Sequence, residues 1–296
     1  MKAAAARNRI QFQNILFATD FSHAAATALP FAAEIARCFG ARLFAVHAKT
    51  PENYALPVTE IWPVANTLLD EQITHLKETL RTQFPTVASE VLLADGGVWG
   101  VVEAAAEQKK ADLIVVGTNG RRGIGKFILG STAEEILRQA KCPVLTVGPH
   151  SPSEPPREAR FKKIVYATDF GDASSAAAAH AVALAQEHQA HLILMHVIEY
   201  PKAGELVRPS QLEAAAVARL QAMVPAEADL WCEPKTIVRH GTPAEQILQV
   251  AESDQADLIV LGLRNTKALL GATHLSTAVA HQVISHAPCP VLTVRA

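Results

Sequence analysis

The feature that most constrains the fold of this chain is an internal repeat. Three short segments occur twice in the same order along the 296 residues: ATDF starts at 18 and 167, ADLIV at 111 and 256, and CPVLTV at 142 and 289. The second copies begin 149, 145 and 147 residues after the first. Spacing this constant indicates a duplicated domain. We therefore predict two domains of one fold, at 1–148 and 161–296, joined by a proline-rich, charged linker at 149–160.

Within each copy, short apolar runs alternate with longer segments of helical periodicity. The runs NILFAT and ADLIVVG are apolar throughout, which is typical of parallel strands covered by helices on both faces. Five such runs per copy predict the α/β class: two tandem, doubly wound domains, each with a five-stranded parallel sheet in strand order 3-2-1-4-5. The helices of the first copy are expected at 22–39, within 59–83, near 98–110 and at about 132–140.

Charge and cysteine content argue against several functional classes. The chain carries 27 Lys plus Arg against 29 Asp plus Glu, so no global field would attract nucleic acid or an anionic membrane. The four cysteines form no CxxC pair, which argues against a disulfide framework or zinc and predicts small core residues. The apolar runs are too short for a membrane span or a signal peptide. We expect a cytoplasmic protein with neither nucleic acid nor membrane as partner.

A glycine-rich, basic segment, GTNGRRGIGKFILGST at 117–132, follows the predicted fourth strand. In an open α/β sheet the ligand crevice lies beyond the carboxyl ends of strands one and four, so this segment should meet Thr19 and Asp20 there. We expect Gly117, Gly120 and Gly130 to turn with positive φ and to approach a ligand without a Cβ in the way.

The end of the same segment predicts an anion site. Ser131, followed three residues later by Glu134, forms a capping-box pattern at a helix start. Free N–H groups and the positive end of the helix dipole would then face the crevice and bind phosphate oxygens. Arg121 and Arg122 add charge of the right sign, although solvated loop charges are an equally open reading.

Two better-known glycine motifs fit less well. Residues 120–127, GRRGIGKF, follow the P-loop pattern until Phe127 replaces the hydroxyl that would hold magnesium. A dinucleotide fingerprint fails because Ile128 stands where the third glycine belongs.

The whole segment does match the nucleotide motif of the universal stress protein family: glycine, two residues, glycine, nine residues, glycine, then serine or threonine. Gly117, Gly120, Gly130 and Ser131 occupy these positions. The similarity extends over both copies, including the ATD strand ends and the CPVLTV strands. The chain resembles a tandem universal stress protein, whose fold is of the adenine nucleotide alpha hydrolase-like type.

The resemblance implies that the first domain binds ATP, with or without Mg²⁺. Ala18 to Asp20 would contact the adenosine part, Ala48 would line the adenine pocket, and the glycine segment would hold the ribose and phosphates. The predicted contact residues are Ala18, Thr19, Asp20, Ala48, Val116, Gly117, Asn119, Gly120, Arg121, Arg122, Gly130, Ser131 and Thr132. Asp20 also has a structural reading, as the N-cap of the following helix.

The second copy departs from the motif. It keeps Gly262 at the first glycine position, but Asn265 replaces the second glycine and Leu275 the third. A branched side chain at 275 would project toward the phosphate space and would remove the easy positive φ. We therefore predict that the second domain, despite Asp169, binds nucleotide weakly or not at all and serves as a structural partner.

The resulting functional expectation is a nucleotide-binding, regulatory protein of the stress response. The resemblance further suggests that the final strands of the two copies pair within one chain and that two chains dimerise. We identify no catalytic residue and no metal ligand, since His47 and His196 read as core or rim residues, and slow ATP hydrolysis is the most enzymatic activity expected. The alternatives are an assembly scaffold without nucleotide and, third, an adenylating or flavin-handling enzyme.

Overall fold

The computed structural model describes residues 10–50, 62–118, 129–152, 161–199, 209–225, 232, 234–263 and 275–295. The chain divides into two compact units whose main segments are Phe12–Pro149 and Arg160–Ala296. Each unit is an α/β domain, as the internal repeat predicts.

The first domain is a parallel sheet in the order β3-β2-β1-β4-β5, which confirms the predicted strand order. Its elements are β1 (Asn14–Ala18), α1 (His23–Phe39), β2 (Arg42–Lys49), α2 (Trp62–Gln83), β3 (Ser89–Asp95), α3 (Val98–Lys109), β4 (Leu113–Gly117), α4 (Ser131–Gln139) and β5 (Val144–Val147).

The second domain repeats this arrangement, with its strands in the order β8-β7-β6-β9-β10 and all described pairs parallel. Its elements are β6 (Lys163–Ala167), α5 (Asp172–His188), β7 (His191–Ile198), α6 (Pro209–Ala222), β8 (Lys235–His240), α7 (Pro243–Ser253), β9 (Leu258–Leu263), α8 (Leu275–His286) and β10 (Val291–Arg295).

The central strands are buried on both faces, as their unbroken apolar runs predict. In β1, the successive residues Ile15, Leu16 and Phe17 are each at most 1% exposed. Because neighbouring residues of a strand point to opposite faces, this burial requires helices on both sides of the sheet.

The aspartate of the repeated ADLIV segment has a structural task in both domains. The Asp112 carboxylate accepts hydrogen bonds from the main-chain N–H groups of Gln13, at 2.7 Å, and Asn14, at 3.3 Å. Asp257 makes the same two bonds at the start of β6, at 2.7 and 2.9 Å. These bonds fix the amino ends of the first and fourth strands of each sheet, which explains why the segment recurs.

Only two of the four cysteines are core residues. Cys232 and Cys289 are buried, whereas Cys38 and Cys142 are half-buried, so the expectation holds for the first pair and is wrong for the second. All four are free thiols, and burial raises the pKa of Cys142 to about 11. Among the described helices, none is both long and apolar enough to cross a membrane.

The glycine at the end of the fourth strand is required by packing. A Cβ on Gly117 would lie 2.6 Å from the main-chain carbon and oxygen of Ala24, at the start of α1. A Cβ on Gly262 would lie 2.4 Å from the main-chain nitrogen of Ser174, at the start of α5. The expected positive φ at Gly117 is wrong, because among the described glycines only Gly40, Gly96 and Gly241 have one. What Gly117 provides is room for a helix backbone.

This packing predicts a loss of stability on adding one methyl group. Gly117→Ala and Gly262→Ala should each lower the free energy of unfolding by about 1–3 kcal/mol, because the helix must move away from the strand. The measurement is urea unfolding of the whole chain. Gly100→Ala is the matched control: its Cβ would meet nothing within 4 Å, and alanine should add about 0.5–1 kcal/mol in helix α3. Wild-type stability in Gly117→Ala would contradict the packing requirement.

Candidate functional site

The predicted crevice of the first domain lies where the carboxyl ends of β1 and β4 meet. These strands are direct neighbours, and Ala18 at the end of β1 pairs with Val116 of β4. On its other side Ala18 pairs with Val46, two residues before Ala48 on β2. The structure therefore brings the predicted residues Ala18, Ala48, Val116 and Gly117 to one edge of the sheet.

A tight corner carries the predicted residues Thr19 and Asp20 from β1 into α1. The hydroxyl of Thr19 accepts a hydrogen bond from the N–H of Phe21 at 3.0 Å, and Asp20 Oδ1 accepts one from the N–H of Ser22 at 2.9 Å. Both side chains thus shape the turn, in which Phe21 adopts a left-handed φ of 58°. Asp20 is not the N-cap of α1, since that position belongs to Ser22, whose hydroxyl accepts from the N–H of Ala25 at 3.3 Å.

A buried histidine braces the same corner. The Nδ1 atom of His47, on β2, lies 2.8 Å from the main-chain oxygen of Thr19 and donates a hydrogen bond to it. Its ring packs against Phe21, with the ring centroids 4.6 Å apart, and the side chain is 3% exposed. His47 is therefore a core residue, as predicted.

The base of the glycine segment is closed by the main chain. The N–H of Gly130 donates to the oxygen of Thr118 at 2.7 Å, and the N–H of Thr118 donates to the oxygen of Val147 at 3.0 Å. Two residues thirteenth-neighbour in the motif, Gly117 and Gly130, are in this way anchored beside the same strand end. The N–H of Gly130 is consequently occupied and is not one of the free donors that the motif predicts.

The helix that follows starts differently from the prediction. Gly130 is the N-cap of α4, with φ −61° and ψ 144°, and makes no side-chain cap. Both the positive φ at Gly130 and the capping box at Ser131 are therefore wrong: Ser131 is already the first helical residue, and the N–H of Glu134 makes the ordinary helical bond to the oxygen of Gly130 at 2.9 Å. The N–H groups of the first turn have no acceptor inside the helix, so an anion-binding helix start remains.

Part of the predicted site lies outside the described residues. Asn119, Gly120, Arg121 and Arg122 all fall there. Ser131 is exposed and Thr132 half-buried, at the start of α4. In the second domain, Asn265 is also outside the described residues, whereas α8 includes Leu275 as its first residue. Since the aligned Gly130 has a negative φ, the backbone argument against Leu275 is wrong, and only the bulk of leucine counts against a phosphate.

One candidate residue is absent from the sequence prediction. Thr118 is 2% exposed, and its hydroxyl has no hydrogen-bond partner among the described residues. An unpartnered buried hydroxyl costs about 1–3 kcal/mol. The second domain avoids this cost, because the aligned residue is the buried Leu263. The signal was present in the two copies, as VGT against LGL, but only burial gives it meaning.

Comparisons with known proteins agree with this architecture. The model of the Universal stress protein family matches residues 11–148 and 160–295. A universal stress protein of Thermus aquaticus is 39% identical over 146 residues, which are 46% of this chain and 99% of that protein. One from Methanocaldococcus jannaschii is 32% identical over 141 residues, 46% of this chain and 82% of that protein. The crystal structure of a universal stress protein from Archaeoglobus fulgidus shares the fold, with a TM-score of 0.68 at 20% identity, over 97% of this chain and 99% of that one.

The unpartnered hydroxyl predicts an unusual stabilising substitution. Thr118→Val replaces it by a methyl group of similar size, so the ligand-free protein should gain about 1 kcal/mol or more in unfolding free energy. Urea unfolding measures this change. Thr118→Ser is the matched control, because it keeps the hydroxyl and should bring no such gain. A clear loss of stability in Thr118→Val would mean that the hydroxyl already has a partner.

Proposed function

Because the chain belongs to the universal stress protein family, we propose that its first domain binds ATP and acts as a nucleotide-dependent regulator of the stress response. The nucleotide lies across the carboxyl ends of β1 and β4. The observation that carries the proposal is the pairing of Ala18 with Val116, since it places the Asp20 corner beside the closed base of the glycine segment.

The adenosine part fits the side of the crevice formed by β1 and β2. In this proposal Ala18 to Asp20 contact the adenosine, and Ala48, 7% exposed on β2, lines the adenine pocket. Asp20 is half-buried, and its Oδ1 atom already holds one main-chain N–H. The corner is thus formed before a ligand arrives, which lowers the cost of binding.

The phosphates fit the start of α4. Ser131 and Thr132 lie in its first turn, where main-chain N–H groups and the helix dipole favour anions. The buried hydroxyl of Thr118, next to the strand end, offers a further donor. Asn119, Gly120, Arg121 and Arg122 belong to the proposal through the family motif alone. A Mg²⁺ ion, where present, would be held chiefly by phosphate oxygens.

The second domain plays a structural part in this proposal. Its retained Gly262 is explained by the close approach of α5, so it is no sign of a retained ligand site. Leu275 places a bulky residue at the start of α8, where the first domain has Gly130. We expect one nucleotide per chain.

Regulation by occupancy fits the crevice better than catalysis does. The two groups nearest to a general base, Asp20 and His47, are both engaged by main-chain partners: Asp20 Oδ1 accepts from Ser22, and His47 Nδ1 donates to Thr19. A general base needs a free lone pair within reach of the attacking water. Slow ATP hydrolysis is therefore the upper limit that we propose, and a scaffold that binds no nucleotide is the alternative.

The first test substitutes the glycine that begins the phosphate site. Gly130→Leu copies the residue of the second domain, and at φ −61° leucine fits the backbone without strain. The fold should remain, while calorimetric titration should show ATP affinity reduced at least tenfold from a wild-type stoichiometry of one. Gly100→Leu, on an exposed helix position with free space around its Cβ, is the matched control and should bind normally. Unchanged affinity in Gly130→Leu, or two ATP per wild-type chain, would contradict the proposal.

A second test separates a nucleotide-binding regulator from a scaffold. Mass spectrometry of small molecules released from freshly purified protein should detect an adenine nucleotide, in an amount that falls in Gly130→Leu. A scaffold would release none from either protein. Incubation with labelled ATP then shows whether any hydrolysis accompanies binding.

A further inference from the structure

The two domains build the corner after their first strands with the same bonds. In the second domain, the hydroxyl of Thr168 accepts from the N–H of Phe170 at 2.8 Å, and Asp169 Oδ1 accepts from the N–H of Gly171 at 2.9 Å. His196 Nδ1 donates to the oxygen of Thr168 at 2.8 Å. The aspartates of the two copies can therefore be compared atom by atom.

One side chain distinguishes these two corners. Five residues after the aspartate, the first domain has Ala25 and the second has Ser174, and both are 4% exposed. The Ser174 hydroxyl donates to Asp169 Oδ1 at 2.5 Å and also accepts from the N–H of Asp169 at 3.4 Å. In the second domain the carboxylate oxygen thus receives two donors, one from the main chain and one from this hydroxyl.

The serine is itself held in place by a residue that the first domain lacks. Tyr166, which is fully buried in β6, donates its hydroxyl to the main-chain oxygen of Ser174 at 2.6 Å. The aligned residue in β1 is Phe17, which has no hydroxyl. The contact between Ser174 and Asp169 therefore has its own support in the core of the second domain.

We propose that position 25 determines whether the corner carboxylate serves a ligand or the protein. Alanine there supplies no hydroxyl that competes with a donor of the nucleoside for Asp20, whereas Ser174 supplies one to Asp169 from within the fold. The second domain has accordingly lost its site at the nucleoside end as well as at the phosphate end. This inference rests on the proposed ATP site and names a residue that sets its selectivity.

The test introduces the serine of the second domain into the first. Ala25→Ser should weaken ATP binding to the whole chain about tenfold in calorimetric titration, the loss expected for one displaced hydrogen bond to a charged group. Adenosine alone should lose the same factor, while binding of inorganic triphosphate should stay unchanged. This pattern locates the effect at the carboxylate, which a general disturbance of the fold would not do.

Two further variants control for size and for the domain. Ala25→Cys adds a side chain at least as large as serine but a much weaker donor, and should change ATP affinity less than threefold. Ser174→Ala should leave ATP affinity and stoichiometry as in the wild type, because it acts in the domain without a site.

The outcomes separate this inference from the function on which it rests. Wild-type affinity in Ala25→Ser, or an equal loss in Ala25→Cys, overturns the role of position 25 while ATP binding by the wild type stands. An equal loss for inorganic triphosphate also overturns it, because the effect would then lie at the phosphate end. A wild-type chain that binds no ATP removes the proposed function and this inference with it.

Discussion

The close approach of a helix backbone to a strand end is the constraint on which the rest of each domain depends. At Gly117 and Gly262 the main chain of the following helix start occupies the space that a Cβ would need. Only this contact lets the corner after the first strand lie against the end of the fourth. The glycine recurs in both copies, including the copy that we expect to bind nothing. The first glycine of the family motif is therefore explained by packing, and it is weak evidence for a ligand.

The internal duplication separates architecture from function more sharply than a single domain could. The threonine, aspartate, phenylalanine and histidine of the corner make the same contacts in both copies, so these contacts belong to the fold. Three positions differ where a ligand would lie: Thr118 against Leu263, Ala25 against Ser174, and Gly130 against Leu275. In each pair the second copy fills or satisfies locally what the first leaves to a partner. The differences, rather than the shared motif, carry the functional argument.

The sequence predicted the strand order, the elements of both sheets and the meeting of the β1 and β4 ends, because these follow from apolar periodicity and from the rules of parallel sheets. It failed on the reasons for individual residues. Spacing shows that a glycine is needed at 117 and 130, but it does not distinguish a steric need from a conformational one. The serine at 131 matched a capping pattern, yet Gly130 takes the extended N-cap conformation one residue earlier. Thr118 escaped notice because its lack of a partner is a property of packing, which no local pattern encodes.

The backbone of the corner shows that the site is formed in advance. Phe21 and Phe170 hold left-handed φ values of 58° and 61°, a conformation that costs a bulky residue roughly 1–2 kcal/mol. The ring of a neighbouring histidine and the hydrogen bonds of threonine and aspartate offset this cost in both domains. Since the strained turn persists where Asp169 is bonded internally, it does not depend on a ligand.

A nucleotide that bound the first domain would therefore meet a corner that is already ordered, and it would add a link between that corner and the start of α4. The helix α1 packs on β4 and β5, while α4 packs with α3, which lies against β2 and β1. A ligand contacting both helix starts would connect elements that the protein itself joins through the edge of the sheet. It would stabilise the bound form by about 2.7 kcal/mol at a concentration a hundred times its dissociation constant. Occupancy alone, without hydrolysis, is then sufficient to distinguish two states of the domain.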